Sequence, residues 1–261
     1  MSDIVQYEVH GRVGVITLNR PDARNAVNGD VASGVEAAID QLEADPEVWV
    51  GVLRANTEGQ EKPVFCAGAD LKAINSGQAG GLNTRKGGFA GFVYRERTKP
   101  VIVAVDGLAT AGGCEIVLAA DLVVATTRSA FGLAEVKRNL IAGAGGLFRL
   151  PRAIGQAPAM EMILTGEPLP ATRAYELGLV SRLVEPGQAF ESAMALAAQI
   201  TAAAPMAVWE SRKVVLAAAY ADDDTLKQMT NEAMGKVMSS EDLKAGLTAF
   251  IEQRAPQWKG R

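Results

Sequence analysis

Strand-like and helix-like segments alternate through about the first 190 of the 261 residues, and this alternation constrains the fold more than any other feature. Residues 4–8 and 13–18 alternate in the manner of strands around His10-Gly11-Arg12, which predicts a β-hairpin. A helix is expected to begin near Asn28, because apolar residues then recur at intervals of three and four. The apolar run at 48–53 is typical of a buried strand. The pattern therefore predicts an α/β protein.

The same order of elements recurs further along the chain. A loop at 63–70 leads through a short helix to the glycine-rich stretch 77–91, which is followed by a predicted polar helix and then by the apolar strand 101–105. A helix-compatible segment after Gly113 precedes a strand at 121–126. Buried strands that alternate with helices are typical of largely parallel sheets.

The character of the sequence changes near residue 188, where alanine-rich helical segments begin. The four predicted helices span residues 188–203, 206–220, 223–238 and 241–254. Their apolar residues are more numerous than a lone helical tail needs, so we expect the tail to dock on the core or on a neighbouring subunit. We therefore divide the chain into a core, residues 1–195, and a C-terminal helical region, residues 196–261.

Composition and charge argue against several classes of protein. The chain is 48% hydrophobic and 21% charged, which is enough apolar material for a sizeable core. A formal net charge of −4 argues against nucleic-acid binding, which normally needs clustered Lys and Arg. No apolar run reaches the roughly 20 residues needed to cross a bilayer, because Asp121 and Arg128 interrupt the most hydrophobic region. The opening residues show no export or import signal, so we expect a soluble cytoplasmic protein that binds neither nucleic acid nor membrane.

The inventory of reactive side chains is small. The single histidine, His10, lies in the predicted first hairpin, so no histidine-dependent triad can form around Cys114 or a serine. One histidine and the dispersed Cys66 and Cys114 also cannot form a zinc site of the usual ligand count. We therefore expect no metal site and two small, buried, unpaired cysteines.

Two glycine-bearing segments can each present a free backbone N–H: FCAGADLK at 65–72 and ATAGGCEIVLAAD at 109–121. In the second, Gly112 and Gly113 lie where a helix begins, so unpaired N–H groups and the positive end of the helix dipole point outward. Two such donors about 3 Å from a thioester oxygen would stabilise the enolate-like charge that develops when the conjugated bond is attacked. The alternative is that these glycines serve only tight turns.

Two glutamates lie close to these segments. Glu115 falls in the first turn of the helix after Gly113, and Glu135 follows a short strand. Adding water to an enoyl thioester needs a carboxylate that takes a proton from water and a carboxylic acid that gives one to carbon, and two neighbouring glutamates can divide these roles. The pattern alone also allows a helix N-terminal charge for Glu115, and a surface ion pair with Lys137 or Arg138 for Glu135.

Four motifs, in this order and spacing, resemble the crotonase (enoyl-CoA hydratase/isomerase) family. They are FCAGADLK, AGGCEIVLAAD, AFGLAEVKRNLIAGAGGLFRLPRAIG and AMEMILTG. The resemblance implies an α/β fold built as a spiral of ββα turns, followed by a helical C-terminal trimerisation region in a homotrimer or a hexamer formed as a dimer of trimers. It also implies an acyl-CoA thioester as substrate, so that coenzyme A belongs to the substrate and no separate cofactor is expected.

The resemblance further implies roles for individual residues. Ala69 and Gly112 match the positions whose backbone N–H groups form the family's oxyanion hole. Glu115 matches the glutamate that activates water at C3, Glu135 the one that protonates C2, and Gly143 a backbone position that helps to hold the water. The positions that match the coenzyme A site are Arg24, Ala67, Asp70, Leu71 and Phe250, the last contributed by a neighbouring subunit.

Some positions depart from the family pattern. Ala142 stands where a proline is usual, Leu133 and Ala134 replace Gln-Pro, and Asn139 replaces a glycine. Gln253 occupies the place of a lysine that contacts the coenzyme A phosphate in some relatives. The stretch GGFAG at 87–91 and the ending WKGR are similar to those of carnitinyl-CoA dehydratases, which bears on the substrate only.

Together these features predict an enoyl-CoA hydratase or dehydratase that adds water reversibly, in the syn sense, to a 2-enoyl-CoA. An enoyl-CoA isomerase, in which one glutamate shuttles a proton and no water adds, is an alternative on the same scaffold, as is a carnitinyl-CoA dehydratase. A non-catalytic acyl-CoA-binding or RNA-binding member of the family is the alternative from another class, although the acidic balance disfavours RNA.

Overall fold

The computed structural model describes residues 4–261, and within this range the chain forms twelve strands and ten helices. The strands are β1 (Val5–His10), β2 (Val13–Leu18), β3 (Val50–Ala55), β4 (Val64–Cys66), β5 (Asn83–Thr84), β6 (Gly88–Phe89), β7 (Val101–Val105), β8 (Leu108–Thr110), β9 (Leu122–Thr126), β10 (Ala130–Gly132), β11 (Leu169–Pro170) and β12 (Arg182–Val184). The helices are α1 (Gly29–Ala44), α2 (Leu71–Asn75), α3 (Gly112–Leu118), α4 (Gly146–Ile154), α5 (Gln156–Thr165), α6 (Ala171–Glu176), α7 (Ala189–Thr201), α8 (Pro205–Ala217), α9 (Asp223–Met238) and α10 (Glu241–Ile251).

A six-stranded sheet and a four-stranded sheet carry the core. The large sheet has the order β1-β2-β3-β7-β9-β12, and all its pairs are parallel except the β1–β2 hairpin. The small sheet has the order β11-β10-β8-β4, with β4, β8 and β10 parallel to one another. Successive strands along the chain, β3–β4, β7–β8 and β9–β10, place one strand in each sheet, and a helical segment follows each pair. The α/β architecture of ββα repeats is therefore confirmed.

Period-two alternation assigns the faces of the large sheet. In β2, Ile16 and Leu18 face the main core, whereas Val13 and Val15 face the opposite side. Helix α7 covers that opposite side with three small residues spaced at helical intervals, Ala189, Ala193 and Ala197. Helix α7 therefore packs on the large sheet along its whole length. The predicted boundary at residue 195 falls inside this helix.

The small sheet positions the candidate site. Because β4, β8 and β10 are parallel neighbours, their carboxyl ends meet at one edge. The segments that leave this edge are the turn before α2, the start of α3 and a 3₁₀ turn at Glu135–Arg138. These segments carry the glycine turns and both glutamates that the sequence singles out.

The segment 92–100 differs from the prediction, because it forms turns and extended chain and not a polar helix. Ala90 and Gly91 have positive φ, a backbone conformation incompatible with a right-handed helix. A side chain on Gly91 would overlap the carbonyl oxygen of Ala32 on α1, so tight packing dictates this turn. The predicted loop 63–70 also contains the buried strand β4. This strand has only three residues, which are too few to show an alternation of apolar and polar side chains in the sequence.

Helices α8, α9 and α10 form the C-terminal region, close to the predicted bounds. The chain end returns to anchor α10: the buried carboxylate of Asp242 accepts hydrogen bonds from the N–H groups of Lys259 and Gly260 at 2.7 and 2.8 Å. Trp258 donates its indole N–H to the carbonyl oxygen of Ala202 at 2.8 Å, which ties the same segment to the end of α7.

Within residues 4–261, none of the helices alone has the length and apolar character required to cross a membrane. Helices α7 and α8 meet the criteria of length and composition only as a pair, and the chain bends by 108° between them.

The packing of α7 on the sheet gives a test of the fold. Ala193→Leu is expected to lower the free energy of unfolding by about 1–3 kcal/mol, because the added atoms have no space between the helix and the sheet. Ala195→Leu, on the exposed face of the same helix, is the matched control and should change it by less than about 0.5 kcal/mol. Urea unfolding of both variants checks this, and equal effects would contradict the packing.

Candidate active site

A cavity of about 1160 Å³ lies at the carboxyl edge of the small sheet. It is lined by nine of the ten predicted site residues: Arg24, Ala67, Ala69, Asp70, Leu71, Gly112, Glu115, Glu135 and Gly143. The tenth, Phe250, lies on α10 outside this cavity, and 85% of its surface is exposed. Residues spread over about 120 positions of the chain therefore converge on one pocket.

The first predicted oxyanion donor is the N–H of Ala69, in the turn after β4. Ala69 forms a parallel bridge with Val27, in which Val27 donates to the Gly68 carbonyl and accepts from the Asp70 N–H, both at 2.8 Å. In this pattern the N–H of Ala69 points away from Val27, and it donates to no acceptor within residues 4–261. Gly68 has φ +84° and so allows the chain to turn here.

The second predicted donor is the N–H of Gly112, the first residue of α3. An N–H in the first helical turn has no acceptor in its own helix, and that of Gly112 finds none elsewhere among the described residues. A Cβ on Gly68 would lie only 2.8 Å from the Gly112 nitrogen, so the two turns approach closely. The Ala69 and Gly112 segments thus bring two unpaired donors to the same cavity.

The chain is strained where it enters α3. Ala111 has φ 50° and ψ −128°, a conformation that a residue with a Cβ rarely adopts. Its N–H donates to the Gly132 carbonyl at 2.8 Å, and its own carbonyl accepts from Cys114 and Glu115, which holds the strained residue in place. A side chain on Gly113 would overlap the carbonyl oxygen of Cys66, so glycine is required for α3 to abut β4.

Glu115 is a buried carboxyl group, with 3% of its surface exposed. Its Oε1 accepts hydrogen bonds from the backbone N–H groups of Ala144 and Gly146 at 2.7 and 2.9 Å. Burial raises the pKa of Glu115 to about 7 despite the hydrogen bond from Gly146, and the neighbouring charge of Glu135 adds to the rise. Glu115 is therefore a buried group poised near neutral pH, and not an exposed helix-terminal charge.

Glu135 begins the 3₁₀ turn after β10. Its Oε2 is buried without a hydrogen-bond partner among the described residues. Burial raises the pKa of Glu135, although its own backbone N–H and the charge of Arg138 oppose the rise. Lys137, which the sequence offered as a surface partner, pairs instead with Glu167 at 2.6 Å. A buried carboxyl without a partner beside a cavity is a candidate for proton transfer.

The cavity is also lined by the residues predicted to contact coenzyme A, apart from Phe250. The carbonyl of Arg24 accepts from the N–H of Ala67 at 3.1 Å, which joins two of them directly. Asp70 caps α2 by accepting from the Lys72 N–H at 3.0 Å, and its carboxylate pairs with Arg20 at 3.1 Å. The side chain of Asp70 is thus engaged in holding the turn, whereas Leu71 remains largely exposed at the rim.

Several residues that line or contact the cavity were not predicted from the sequence. Arg20, Lys72 and Tyr94 line the cavity, and the Arg149 guanidinium donates to the Ala144 carbonyl at 3.1 Å. Lys72 ends the FCAGADLK motif, which is the local signal that could have pointed to it.

The structure shows the backbone conformation or the exposure of three residues that depart from the family pattern. Asn139 has φ 56°, and asparagine tolerates this left-handed conformation better than most residues, so it can replace glycine here. Ala142 is buried beside Gly146, and Gln253 is exposed beyond α10.

Both cysteines are free and buried, as expected, and burial raises the pKa of the Cys66 thiol to about 12.

One cavity is therefore lined by two backbone N–H groups that have no acceptor within residues 4–261 and by two carboxyl groups of raised pKa. Comparison with known proteins identifies the family, because the profile described as enoyl-CoA hydratase/isomerase matches residues 8–261. The chain belongs to this family, the crotonases, which confirms the predicted relationship.

Individual relatives agree with this assignment. The chain is 37% identical to a short-chain-enoyl-CoA hydratase of Clostridium acetobutylicum, covering 95% of this chain and 94% of that protein. It is 36% identical to a carnitinyl-CoA dehydratase of Salmonella typhi, with all of both chains covered. The crystal structure of an enoyl-CoA hydratase from Mycobacterium tuberculosis superposes with a TM-score of 0.93 at 45% identity, again covering 100% of both chains.

The raised pKa of Glu115 has a consequence for stability. Its folded pKa of about 7 lies above the ordinary value of 4.5, so the folded protein binds more protons between these pH values and loses stability as the pH rises through that window. The loss is at most roughly 3 kcal/mol, since each pKa unit corresponds to about 1.4 kcal/mol. Glu115→Gln should therefore raise the free energy of unfolding at pH 8 by about 1–3 kcal/mol and flatten its pH dependence.

Chemical denaturation at pH 5 and pH 8, at one protein concentration, measures this difference. The control is Glu61→Gln, which removes an exposed carboxyl group outside the cavity and should change neither value. A Glu115→Gln protein that is no more stable than the wild type at pH 8 would show that the buried charge carries no such cost.

Proposed function

We propose that the protein is an enoyl-CoA hydratase, which adds water reversibly to the double bond of a 2-enoyl-CoA thioester. The observation that carries this proposal is that Glu115 and Glu135 line the same cavity as Ala69 and Gly112, whose backbone N–H groups have no acceptor in the described part of the chain. The names of the relatives, short-chain-enoyl-CoA hydratase among them, support the same reaction.

In the proposed mechanism the thioester carbonyl oxygen accepts hydrogen bonds from the N–H groups of Ala69 and Gly112. These donors stabilise the negative charge that moves onto this oxygen as C3 is attacked, and the loss of one such donor typically costs about 100-fold to 1,000-fold in rate. Because both donors belong to the backbone of packed turns, they need no reorganisation during the reaction.

The two glutamates divide the proton transfers. The Glu115 carboxylate takes a proton from a water molecule beside Gly143 while the water oxygen bonds to C3, and Glu135 delivers a proton to C2. Two backbone N–H groups stabilise the charged form of Glu115, whereas the Glu135 Oε2 has no donor within residues 4–261, which favours its protonated form. Dehydration follows the same steps in reverse. We propose that no metal or cofactor takes part, since these side chains and amides supply every group that the reaction needs.

The substrate is proposed to be a short or medium enoyl-CoA. A carnitinyl-CoA dehydratase among the relatives adds crotonobetainyl-CoA to the panel of candidates. Isomerisation would need only one of the two glutamates, so the presence of both favours hydration. Product analysis in heavy-oxygen water separates the two reactions, because only hydration incorporates the label.

Glu135→Gln is expected to lower kcat by about 100-fold or more, because the proton donor to C2 is lost, with little change in coenzyme A affinity. The measurement is the loss of ultraviolet absorbance of crotonyl-CoA, decenoyl-CoA and crotonobetainyl-CoA, with EDTA present. The control is Glu167→Gln, a surface carboxyl that pairs with Lys137 outside the cavity, and it should retain the wild-type rate. Unchanged turnover in Glu135→Gln would remove this residue from its proposed role.

We also propose that the protein is a homotrimer or a dimer of trimers assembled through the C-terminal helices. Large apolar side chains remain exposed on these helices, and in the turn between α8 and α9, in the isolated chain: Val215, Tyr220, Met234, Met238, Leu247, Phe250 and Ile251. Exposed apolar area on this scale is typical of a surface that a second chain covers. Phe250, exposed and outside its own chain's cavity, is proposed to close over the coenzyme A site of a neighbouring subunit.

Light scattering is expected to give three or six times the chain mass. Phe250→Ser should weaken coenzyme A binding several-fold, because an apolar cover over the bound group is lost, while kcat at saturation changes little. Leu71→Ser, at the rim of the cavity in the same chain, provides a comparison for loss of an apolar contact in cis. A monomeric protein with full activity would contradict the assembly and the role of Phe250.

A further inference from the structure

Tyr94 links the segment 92–100 to the loop that holds Glu115. It lies between β6 and β7, lines the cavity, and donates its hydroxyl to the carbonyl oxygen of Gly143 at 3.1 Å. No motif in the sequence points to this residue, and the proposed mechanism does not use it.

The carbonyl of Gly143 and the N–H of Ala144 belong to the same peptide group. That N–H donates to the Glu115 Oε1 at 2.7 Å, so one planar peptide joins the phenol of Tyr94 to the buried carboxyl. A donor placed on the carbonyl side of a peptide fixes the orientation of the plane and strengthens the hydrogen bond made by its N–H.

Arg149 also contacts both the segment that carries Tyr94 and the loop that carries Ala144. Its guanidinium lies 5.3 Å from the centroid of the Tyr94 ring and donates to the carbonyls of Val93 and Ala144 at 2.6 and 3.1 Å. Gly145 has φ +107°, and a Cβ there would overlap the guanidinium, so the loop is shaped to admit this side chain. The segment that carries Tyr94 and the loop that carries Ala144 are thus held together from two sides.

We propose that Tyr94 is a positioning residue for hydration, which holds the 143–144 peptide in the orientation that stabilises the charged form of Glu115. The inference rests on the proposed function, in which Glu115 acts as the base. Tyr94 acts through the peptide and takes no proton itself.

The charged and titratable groups that face Glu115 are Glu135 from the 3₁₀ turn, Arg149 from α4 and the Cys114 thiol on its own helix. The hydrogen bond from Ala144 lowers the pKa of Glu115, opposing the effect of burial. Weakening this bond therefore raises the pKa further. Because the base must be ionised, the acidic limb of the kcat/KM profile then moves to higher pH.

The test is Tyr94→Phe, which removes the hydroxyl and keeps the ring against Arg149. We expect the acidic limb to move up by roughly half a pH unit, and kcat/KM at pH 7 to fall by about 2-fold to 3-fold as a result. KM and inhibition by coenzyme A should stay unchanged. Tyr175→Phe, the same change at an exposed position of α6 outside the cavity, should leave the profile unchanged.

Two results would overturn the inference. An acidic limb in Tyr94→Phe that coincides with the wild type would show that the hydroxyl has no influence on Glu115. A raised KM with an unmoved acidic limb would instead make Tyr94 a direct contact of the substrate.

A second measurement needs no turnover. Infrared difference spectroscopy can follow the carboxyl band of protonated Glu115, identified by its absence in Glu115→Gln, and this band should titrate at higher pH in Tyr94→Phe. If the wild-type protein hydrates no enoyl thioester, the proposed function fails, whereas the infrared titration still decides whether Tyr94 acts on Glu115.

Discussion

The hydrogen bonds that the 142–146 loop makes to the buried Glu115 carboxyl are the interaction on which the rest of the site depends. An ionised carboxylate without partners is too costly to keep inside a protein, and it would protonate or move towards water. Two backbone amides, from Ala144 and Gly146, offset part of this cost and leave the pKa near neutrality. The same bonds determine the path of the loop, so the charge and its environment are formed together.

This arrangement depends on where the strands of the small sheet end. Three parallel neighbours, β4, β8 and β10, bring Ala69, Gly112 and Glu135 to one edge, although these residues lie far apart in the chain. The strained Ala111 shows that the site is held by its surroundings and does not relax to a preferred backbone conformation. Rigid strands and a buried helix are suited to hold the amides in place before a ligand arrives.

Much of the fold and of the site could be predicted because the signals are local. The apolar period of α1, its Asn28 cap and the alternation in β2 each depend on a few adjacent residues. The helix predicted within 92–100 was wrong because its turns depend on contact between Gly91 and α1, about 60 residues away in the chain. Tyr94 and Arg149 were missed for the same reason, since Tyr94 donates to the carbonyl of Gly143 and Arg149 to that of Val93, both far away in the chain.

The sequence by itself determined the order of strands and helices, the glycine turns, and the family motifs that place two glutamates near two amides. Only the tertiary structure decided that Glu115 is buried with a pKa near neutrality, that the Glu135 Oε2 has no hydrogen-bond partner among residues 4–261, and that Tyr94 reaches the loop at Gly143. Local propensity acts over a few residues, whereas burial, hydrogen-bond partners and pKa depend on which distant segments pack together.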